Sequence, residues 1–289
     1  MKCFYHKADL DGHCAGAIVK SFNPNAEMIG IDYPNRFPIE TIKPNETVYL
    51  VDYSVPPETL IKLSKTNKIV WIDHHVSAIS AWKEFYLSNE VNEKNITVSL
   101  DITKAACELV WEYFTQEETP LIVKLIGRHD VWDHSNEQTL PFHYGMKFKY
   151  DWNVNSPIWK EGLSLQNVDE IVTLGKLIKE ISDKENEAYA KSYAYEANLN
   201  YVERTGNKLE LKTVKAICLN VGHGSSLRFK SVFDPKKHDI MLCYVIAPGG
   251  VKCSIYTTKE DIDCSLIAKA FGGGGHKKAA GFQTKELPF

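Results

Sequence analysis

At 289 residues the chain has room for one large domain or two smaller ones, and 44% hydrophobic with 25% charged residues is the make-up of a soluble protein with a proper core. The net charge of −3 and only four arginines (Arg36, Arg128, Arg204, Arg228) leave no basic field for a long duplex, so a small anionic substrate is favoured. No apolar run approaches membrane-spanning length, which excludes a transmembrane helix and predicts no membrane partner.

Taken along the chain, Lys2–Tyr5 reads as a strand and Gly12–Ser21 as a helix. Val48–Val51 is a second strand ending at Asp52, followed by a helix over Pro57–Lys65. Lys68–Ile72 is a third strand ending at Asp73. Thr103–Phe114 carries apolar residues at helical spacing, and Leu121–Gly127 continues as helix toward His129 and Asp130. Strands alternating with helices predict a mainly parallel sheet. From Asn167 to about Leu199 the pattern turns helical, with Ile171, Leu174, Ile178 and Ile181 on one face. This stretch reads as a bridge between two lobes or, equally, as a peripheral helix of the first. Beyond Gly206 the chain is strand-rich: Val214–Val221, Ile240–Ala247 and Lys252–Thr257, the last two joined by a hairpin turn at Pro248-Gly249-Gly250. Ser265–Phe271 resembles a helix that stops at four glycines, 272–275, before His276. The predicted fold class is therefore two-lobed α/β. A mainly parallel N-terminal domain (1–165) is flanked by helices; a helical linker (166–209) leads to a smaller α/β domain (210–289).

The seven cysteines (Cys3, Cys14, Cys107, Cys218, Cys243, Cys253, Cys264) are odd in number, scattered, and form no C-x-x-C. They read as small buried hydrophobes in a reducing compartment rather than as disulfides or a zinc finger. The N-terminus runs straight into a strand pattern with no signal peptide, so a cytoplasmic location is expected.

The chemistry concentrates at the strand ends. His6, Asp9 and Asp11 follow the first strand, Asp52 the second, and Asp73, His74 and His75 the third, while His129, Asp130 and Asp133 lie at a later helix end. In an open α/β sheet, ligands gather at that carboxyl edge. Several carboxylates converging there would repel one another unless they take protons or a cation offsets them. Each residue also has a plain structural reading: His6 as a hydrogen-bonded histidine, Asp11-Gly12 as a turn, Asp52 as a helix cap, and Asp130 and Asp133 as surface acids. It is their coincidence on independent loops that points to metal. Aspartates mixed with histidine favour Mn²⁺, with Mg²⁺, Co²⁺ or Zn²⁺ as alternatives. Two such ions ~3.5–4 Å apart can activate a water for attack on phosphorus. Gly12 opens a helix whose N-terminus suits a phosphate.

His6-x-x-Asp9-x-Asp11-Gly12, Leu50-Val51-Asp52-Tyr53-Ser54, Asp73-His74-His75, Gly127-Arg128-His129-Asp130 and the run from Gly272 to Gly281 occur in that order over nearly the whole chain. In this it resembles the DHH phosphoesterase superfamily with the DHH-associated C-terminal domain, and within it the nanoRNase or oligoribonuclease-like branch. The resemblance implies that His6, Asp9 and Asp52 hold one Mn²⁺ ion. Asp11, Asp52, His74 and Asp130 would hold a second, with Asp52 bridging. It implies that Asp73 orients the neighbouring imidazoles and that His75 meets the substrate phosphoryl group. Arg128 can assist there or sit in a surface ion pair. Gly273, Gly274, Gly275 and His276 would bind substrate from the second lobe, closing over it, although four glycines alone can simply end a helix. Relatives often carry an arginine on the strand before the glycine run. Here that strand is Cys253-Ser254-Ile255-Tyr256-Thr257. Tyr256 can stack on a base or be an ordinary strand residue, and Arg228 can supply the missing charge from elsewhere.

The expected activity is metal-dependent hydrolysis of short oligonucleotides to nucleoside 5′-monophosphates. Linear or cyclic dinucleotides, or phosphoadenosine phosphate, are alternative substrates, and a non-catalytic nucleotide-binding module is the reading from another class. The expected partners are a short single-stranded oligonucleotide or a dinucleotide, with a homodimer left open.

Overall fold

The computed structural model describes all residues except 34, 91–92, 160–167, 206–207 and 223. The chain divides into two compact units, Met1–Lys179 and Glu180–Phe289. The expected start of the helical stretch at Asn167, the 165/166 boundary and Gly206 itself lie outside the described residues.

In the first unit, strands β1 (Lys2–His6), β2 (Glu27–Ile31), β3 (Thr47–Val51), β4 (Lys68–Asp73) and β5 (Ile96–Leu100) form one sheet in the order β2-β1-β3-β4-β5. Every neighbouring pair is parallel. The three inner strands are almost continuously apolar because both their faces are covered. Cys3, Tyr5, Val51, Val70 and Ile72 pack beneath helices α1 (Leu10–Phe22), α4 (Ala106–Phe114), α5 (Leu121–Asp130) and α6 (Thr139–Lys149). Phe4, Val48, Leu50, Ile69 and Trp71 form a second core with Leu60 and Leu63 of α2 (Pro57–Ser64) and Trp82 of α3 (Val76–Ser88). The sequence reading contained neither β2 nor β5, nor α3 or α6. The two missed strands are the sheet's edges; they are short and largely part-exposed, so no long apolar run marks them.

The strand order has a functional consequence. The chain leaves β1 for β2 on one side and returns to β3 on the other. Consecutive connections therefore diverge between the carboxyl ends of β1 and β3, opening a crevice. His6 ends β1 and Asp52 directly follows β3.

The long helix α7 (Val168–Tyr193) runs across the division between the units. The helical stretch expected to reach about Leu199 stops at Tyr193, and Tyr195–Leu199 instead opens a strand. The second unit has a six-stranded mixed sheet of β6 (Tyr195–Thr205), β7 (Lys208–Asn220), β8 (Ile240–Ala247), β9 (Gly250–Tyr256), β10 (Gly274–Gly275) and β11 (Ala279–Thr284), in the order β10-β11-β9-β8-β7-β6. The β7–β8 pair is parallel and the rest antiparallel. Helix α8 (Cys264–Ala270) covers one face through Ile267 and Ala268; Ala190 of α7 and Phe229 cover the other. All seven cysteines are buried free thiols, as their apolar neighbours predicted. No helix among the described residues is long and apolar enough to cross a membrane.

Two packing features carry measurable consequences. Gly12 lies so close to the end of β1 that a Cβ there would stand 2.0 Å from the His6 carbonyl oxygen. Gly12→Ala should lower stability by about 2–4 kcal/mol, read as a lower urea midpoint at unchanged m-value; an unchanged midpoint would show that α1 and β1 can separate freely.

Helices α5 and α6 meet through the stacked rings of His129 and His143, 3.5 Å apart at 6°. Burial, then the neighbouring His134 and Lys147, push His129 down to about 4, against the pull of Asp9. Burial, then His129 and Lys147, push His143 down to about 2. Both rings stay neutral in the folded chain while an unfolded histidine protonates near pH 6.5. Their stabilisation is thus present above that pH and lost as pH falls below it. In metal-free protein the His129–His143 pair should cost stability as pH falls from 6.5 to 5, against the opposite pull of the raised Asp52 and Asp130, and His143→Phe should shift the slope by up to about one proton toward greater stability at low pH. An identical slope in the variant would place the titration elsewhere.

Candidate metal centre

Four loops at the carboxyl edge of the parallel sheet deliver one cluster. His6 stands at the end of β1, and Asp9 is the N-cap of α1, its Oδ1 accepting from the Gly12 amide at 3.0 Å. His6 Nδ1 lies 3.1 Å from Asp9 Oδ2 and 3.5 Å from Asp52 Oδ2. His74 Nε2 lies 3.4 Å from Asp52 Oδ1, 3.2 Å from Asp130 Oδ2 and 3.8 Å from Asp11 Oδ2. Asp52 therefore sits between two ligand sets, His6–Asp9–Asp52 and Asp11–His74–Asp130, each close enough for a single ion. All six residues assigned to metal from sequence meet here.

The backbone is shaped around Asp52. Its φ is +52°, a left-handed conformation that costs a non-glycine residue energy. Its amide donates to the Ile72 carbonyl at 3.0 Å, which ties the turn to β4. Asp11 has a second duty. Its Oδ2 accepts from the Ala106 amide at 2.9 Å and its Oδ1 from the Cys107 amide at 2.8 Å, satisfying the first turn of α4.

Asp73 lies in a third ion-sized group, with Asp52, His74 and His75. Its Oδ1 accepts from the amides of His74 (2.7 Å) and His75 (3.1 Å) and from His75 Nδ1 (2.6 Å). Its Oδ2 accepts from the Ser54 hydroxyl, which also receives the Trp71 indole N–H at 3.0 Å. Asp73 thus fixes the loop and the His75 ring; its described bond to His74 goes to the backbone, not the imidazole.

The electrostatics require compensating positive charge or protons. Burial, then the charges of Asp11 and Asp9, raise Asp52 well above the usual carboxylate range. Burial, then Asp11, Asp9 and Asp52, do the same for Asp130. Burial works to lower His6, but the adjacent carboxylates of Asp52 and Asp9 carry it up to about 11. Asp73 goes the other way: burial would raise it, but the bonds from His75 and Ser54 take it below the normal carboxylate range. Protons thus compensate the carboxylates in a pocket without an ion. Two buried atoms, His6 Nδ1 and Asp52 Oδ1, have no hydrogen-bond partner, and both belong to ion-sized groups. Oxygen donors with one imidazole per set and orphaned buried donor atoms fit divalent cations.

Other residues from the sequence reading lie elsewhere. Arg128 pairs with Asp133 at 3.8 Å, both half-exposed, and no described contact joins it to the cluster. Asp133 accepts from the Ser135 amide at 2.9 Å, and His129 stacks on His143. Sequence reasoning missed Asp32, whose Oδ1 lies 3.3 Å from His6 Nε2, and Tyr33, whose ring is 5.5 Å from that of His6. Asp32 follows an apolar strand just as Asp52 does, so the unread β2 hid it.

In the second unit, the glycine run both ends α8 and starts β10. The Gly273 amide donates to the Ala268 carbonyl at 2.8 Å, and Gly275 pairs with Ala280 at φ +141°, where a Cβ would meet Ala280 Cα at 2.6 Å. A Cβ on Gly274 would meet nothing within 4 Å. The part-buried His276 turns the chain back, its amide donating to the Ala279 carbonyl at 2.7 Å. Tyr256 packs against the core around Phe229 and donates its hydroxyl to the Gly224 carbonyl at 2.8 Å. It is a strand residue there. Arg228 donates to Asn186 Oδ1 of α7 at 2.9 Å.

No family model matches the chain. It is 25% identical over 253 residues to an uncharacterized protein, R106, of Acanthamoeba polyphaga mimivirus, covering 82% of this chain and 53% of that one. The chain thus spans about half the length of the curated relative it matches. Among solved structures it resembles an uncharacterized protein from Helicobacter pylori G27 (TM-score 0.41, 16% identity, 98% of this chain and 92% of that one). It also resembles an exopolyphosphatase-related protein from Bacteroides fragilis (TM-score 0.49, 13% identity, 98% and 86%). A pGpG-specific phosphodiesterase from Vibrio cholerae matches at a TM-score of 0.54 and 10% identity over 98% of this chain and 93% of that one, which establishes a shared two-lobed α/β fold.

Proposed function

We propose that the chain is a divalent-metal-dependent phosphodiesterase of the DHH type that hydrolyses short oligonucleotides to nucleoside 5′-monophosphates. The observation that carries this reading is the meeting of His6, Asp9, Asp11, Asp52, His74 and Asp130 in two ion-sized sets, with the unpartnered Oδ1 of Asp52 in the first set 3.4 Å from His74 of the second. Mn²⁺ suits the mixed oxygen and imidazole donors, with Mg²⁺ or Co²⁺ as alternatives. Cations bound there would supply an activated water and neutralise the phosphoryl oxygens. His75, held at Nδ1 by Asp73, would offer its Nε2–H to a phosphoryl oxygen, and its raised pKa keeps that proton in place; burial opposes the shift and the bond to Asp73 drives it. Asp73 positions that imidazole. Gly273, Gly274, Gly275 and His276 are assigned to capture of the substrate's phosphate or nucleotide by the second unit, with open space at Gly274 where a side chain would otherwise stand.

A linear dinucleotide is the second reading. The fold is shared with a protein described as specific for pGpG, a linear dinucleotide. The compact site serves either class, so product-resolved assays on dinucleotides, cyclic dinucleotides and 5-mers decide between them.

Chelation should abolish turnover and Mn²⁺ should restore it; full activity after exhaustive metal removal would end the proposal. By calorimetry, Asp52→Asn should lose tight Mn²⁺ binding, whereas Asp73→Asn should weaken it by about 10–100-fold. A nucleotide-binding module without catalysis would bind Mn²⁺ and nucleotide yet release no product. His276→Ala should raise KM for short oligonucleotides at unchanged metal content, and an unaltered KM would remove that residue from substrate binding.

A further inference from the structure

The connection between α5 and α6 contains a residue that neither the core nor the ligand sets explain. Trp132 is 48% exposed, although burying an indole is among the most favourable contributions a side chain makes. Its φ of +61° is left-handed, a conformation costing a bulky residue about 1–3 kcal/mol. The loop holds it there: the Trp132 amide donates to the His129 carbonyl at 3.2 Å and the Asp133 amide to the Arg128 carbonyl at 2.7 Å. Both penalties fall two residues after Asp130, a member of the second ion set.

The surroundings are aromatic. The Trp132 ring lies 4.4 Å from that of His134 and 6.1 Å, edge-on, from that of His129, which stacks in turn on His143. Asp9, a member of the first ion set, acts electrostatically on both His129 and His143, so its charge reaches the stack. His134 Nε2 is buried without a hydrogen-bond partner. Arg128, in the last turn of α5, and Asp133, in the loop, are half-exposed. An isolated indole between charged neighbours suits one planar group better than a broad protein surface, which would need contiguous apolar area.

We infer that Trp132, backed by His134 and the His129–His143 stack, is a stacking subsite for one nucleobase of the substrate, beside Asp130. The nature of the planar group rests on the phosphodiesterase reading; the subsite itself rests on Trp132. A base has a π-face whatever its identity, so the subsite tolerates sequence while rejecting a phosphoester that has no ring. Stacking needs no charge on the protein, so this contact is distinct from the phosphate contacts of the metal centre.

The test uses the full chain loaded with Mn²⁺ and compares binding of AMP with binding of ribose 5-phosphate by calorimetry. The wild type should prefer AMP. Trp132→Gly removes the ring while suiting the left-handed backbone, so the fold should be retained or slightly stabilised. In this variant AMP affinity should fall about 5–100-fold, with ribose 5-phosphate and Mn²⁺ affinities unchanged. Trp132→Phe should keep most of the AMP preference. Equal wild-type affinity for the two ligands, or unchanged AMP affinity in Trp132→Gly, would overturn the subsite. Because binding requires no turnover, the two readings fail separately. AMP preference lost in Trp132→Gly by a chain that never hydrolyses oligonucleotides keeps the subsite and removes the hydrolase; hydrolysis by Trp132→Gly at wild-type KM removes the subsite and keeps the hydrolase.

Discussion

Mutual repulsion among the carboxylates of Asp9, Asp11, Asp52 and Asp130 is the constraint on which the first unit is organised. These groups share one crevice with His6 and His74, and their ion-pair distances fall between 3.1 and 3.8 Å. Asp11 and Asp52 are buried while Asp9 and Asp130 are partly exposed, so water screens the cluster only in part and protons or cations must compensate the rest. The raised pKa values of Asp52 and Asp130, driven first by burial, are the proton solution; a divalent ion in each set is the alternative that leaves the carboxylates charged.

The scaffold bears this repulsion by giving each acid a structural duty as well. Asp9 caps α1, Asp11 satisfies the first amides of α4, and Asp52 occupies a strained turn tied to β4. Positive helix ends favour the negative charge of Asp9 and Asp11. The same contacts limit the freedom of these carboxylates, which is what a site of fixed geometry requires. Asp73 differs: although it stands in an ion-sized group with Asp52, His74 and His75, its oxygens are used within the protein, so its charge aligns His75 and the loop.

Legibility from sequence varied with the range of the interaction. His6, Asp52 and Asp73 could be placed because apolar runs precede them and strand ends collect ligands. Asp32 obeys the same rule but follows an edge strand, Glu27–Ile31, that is largely part-exposed and interrupted by Gly30. The second duty of Asp11 could not be read, since its partners Ala106 and Cys107 lie 95 and 96 residues away. Arg128 looked equally suited to a phosphate and to a surface ion pair; a local turn sets its contact with Asp133. Tyr256 looked free to stack on a base until the β9 register turned it toward Phe229 and Gly224.

The amino-acid sequence by itself determined the alternation of strands and helices, the buried character of the cysteines and the identity of the ligand-type residues, because these follow from local periodicity and side-chain chemistry. Tertiary structure decided which of those residues share an ion-sized space, that Asp52 stands between two sets, and that Trp132 is held out in a left-handed turn. Those outcomes depend on strand order and on backbone angles set by contacts between segments far apart in the chain, and no local pattern encodes them.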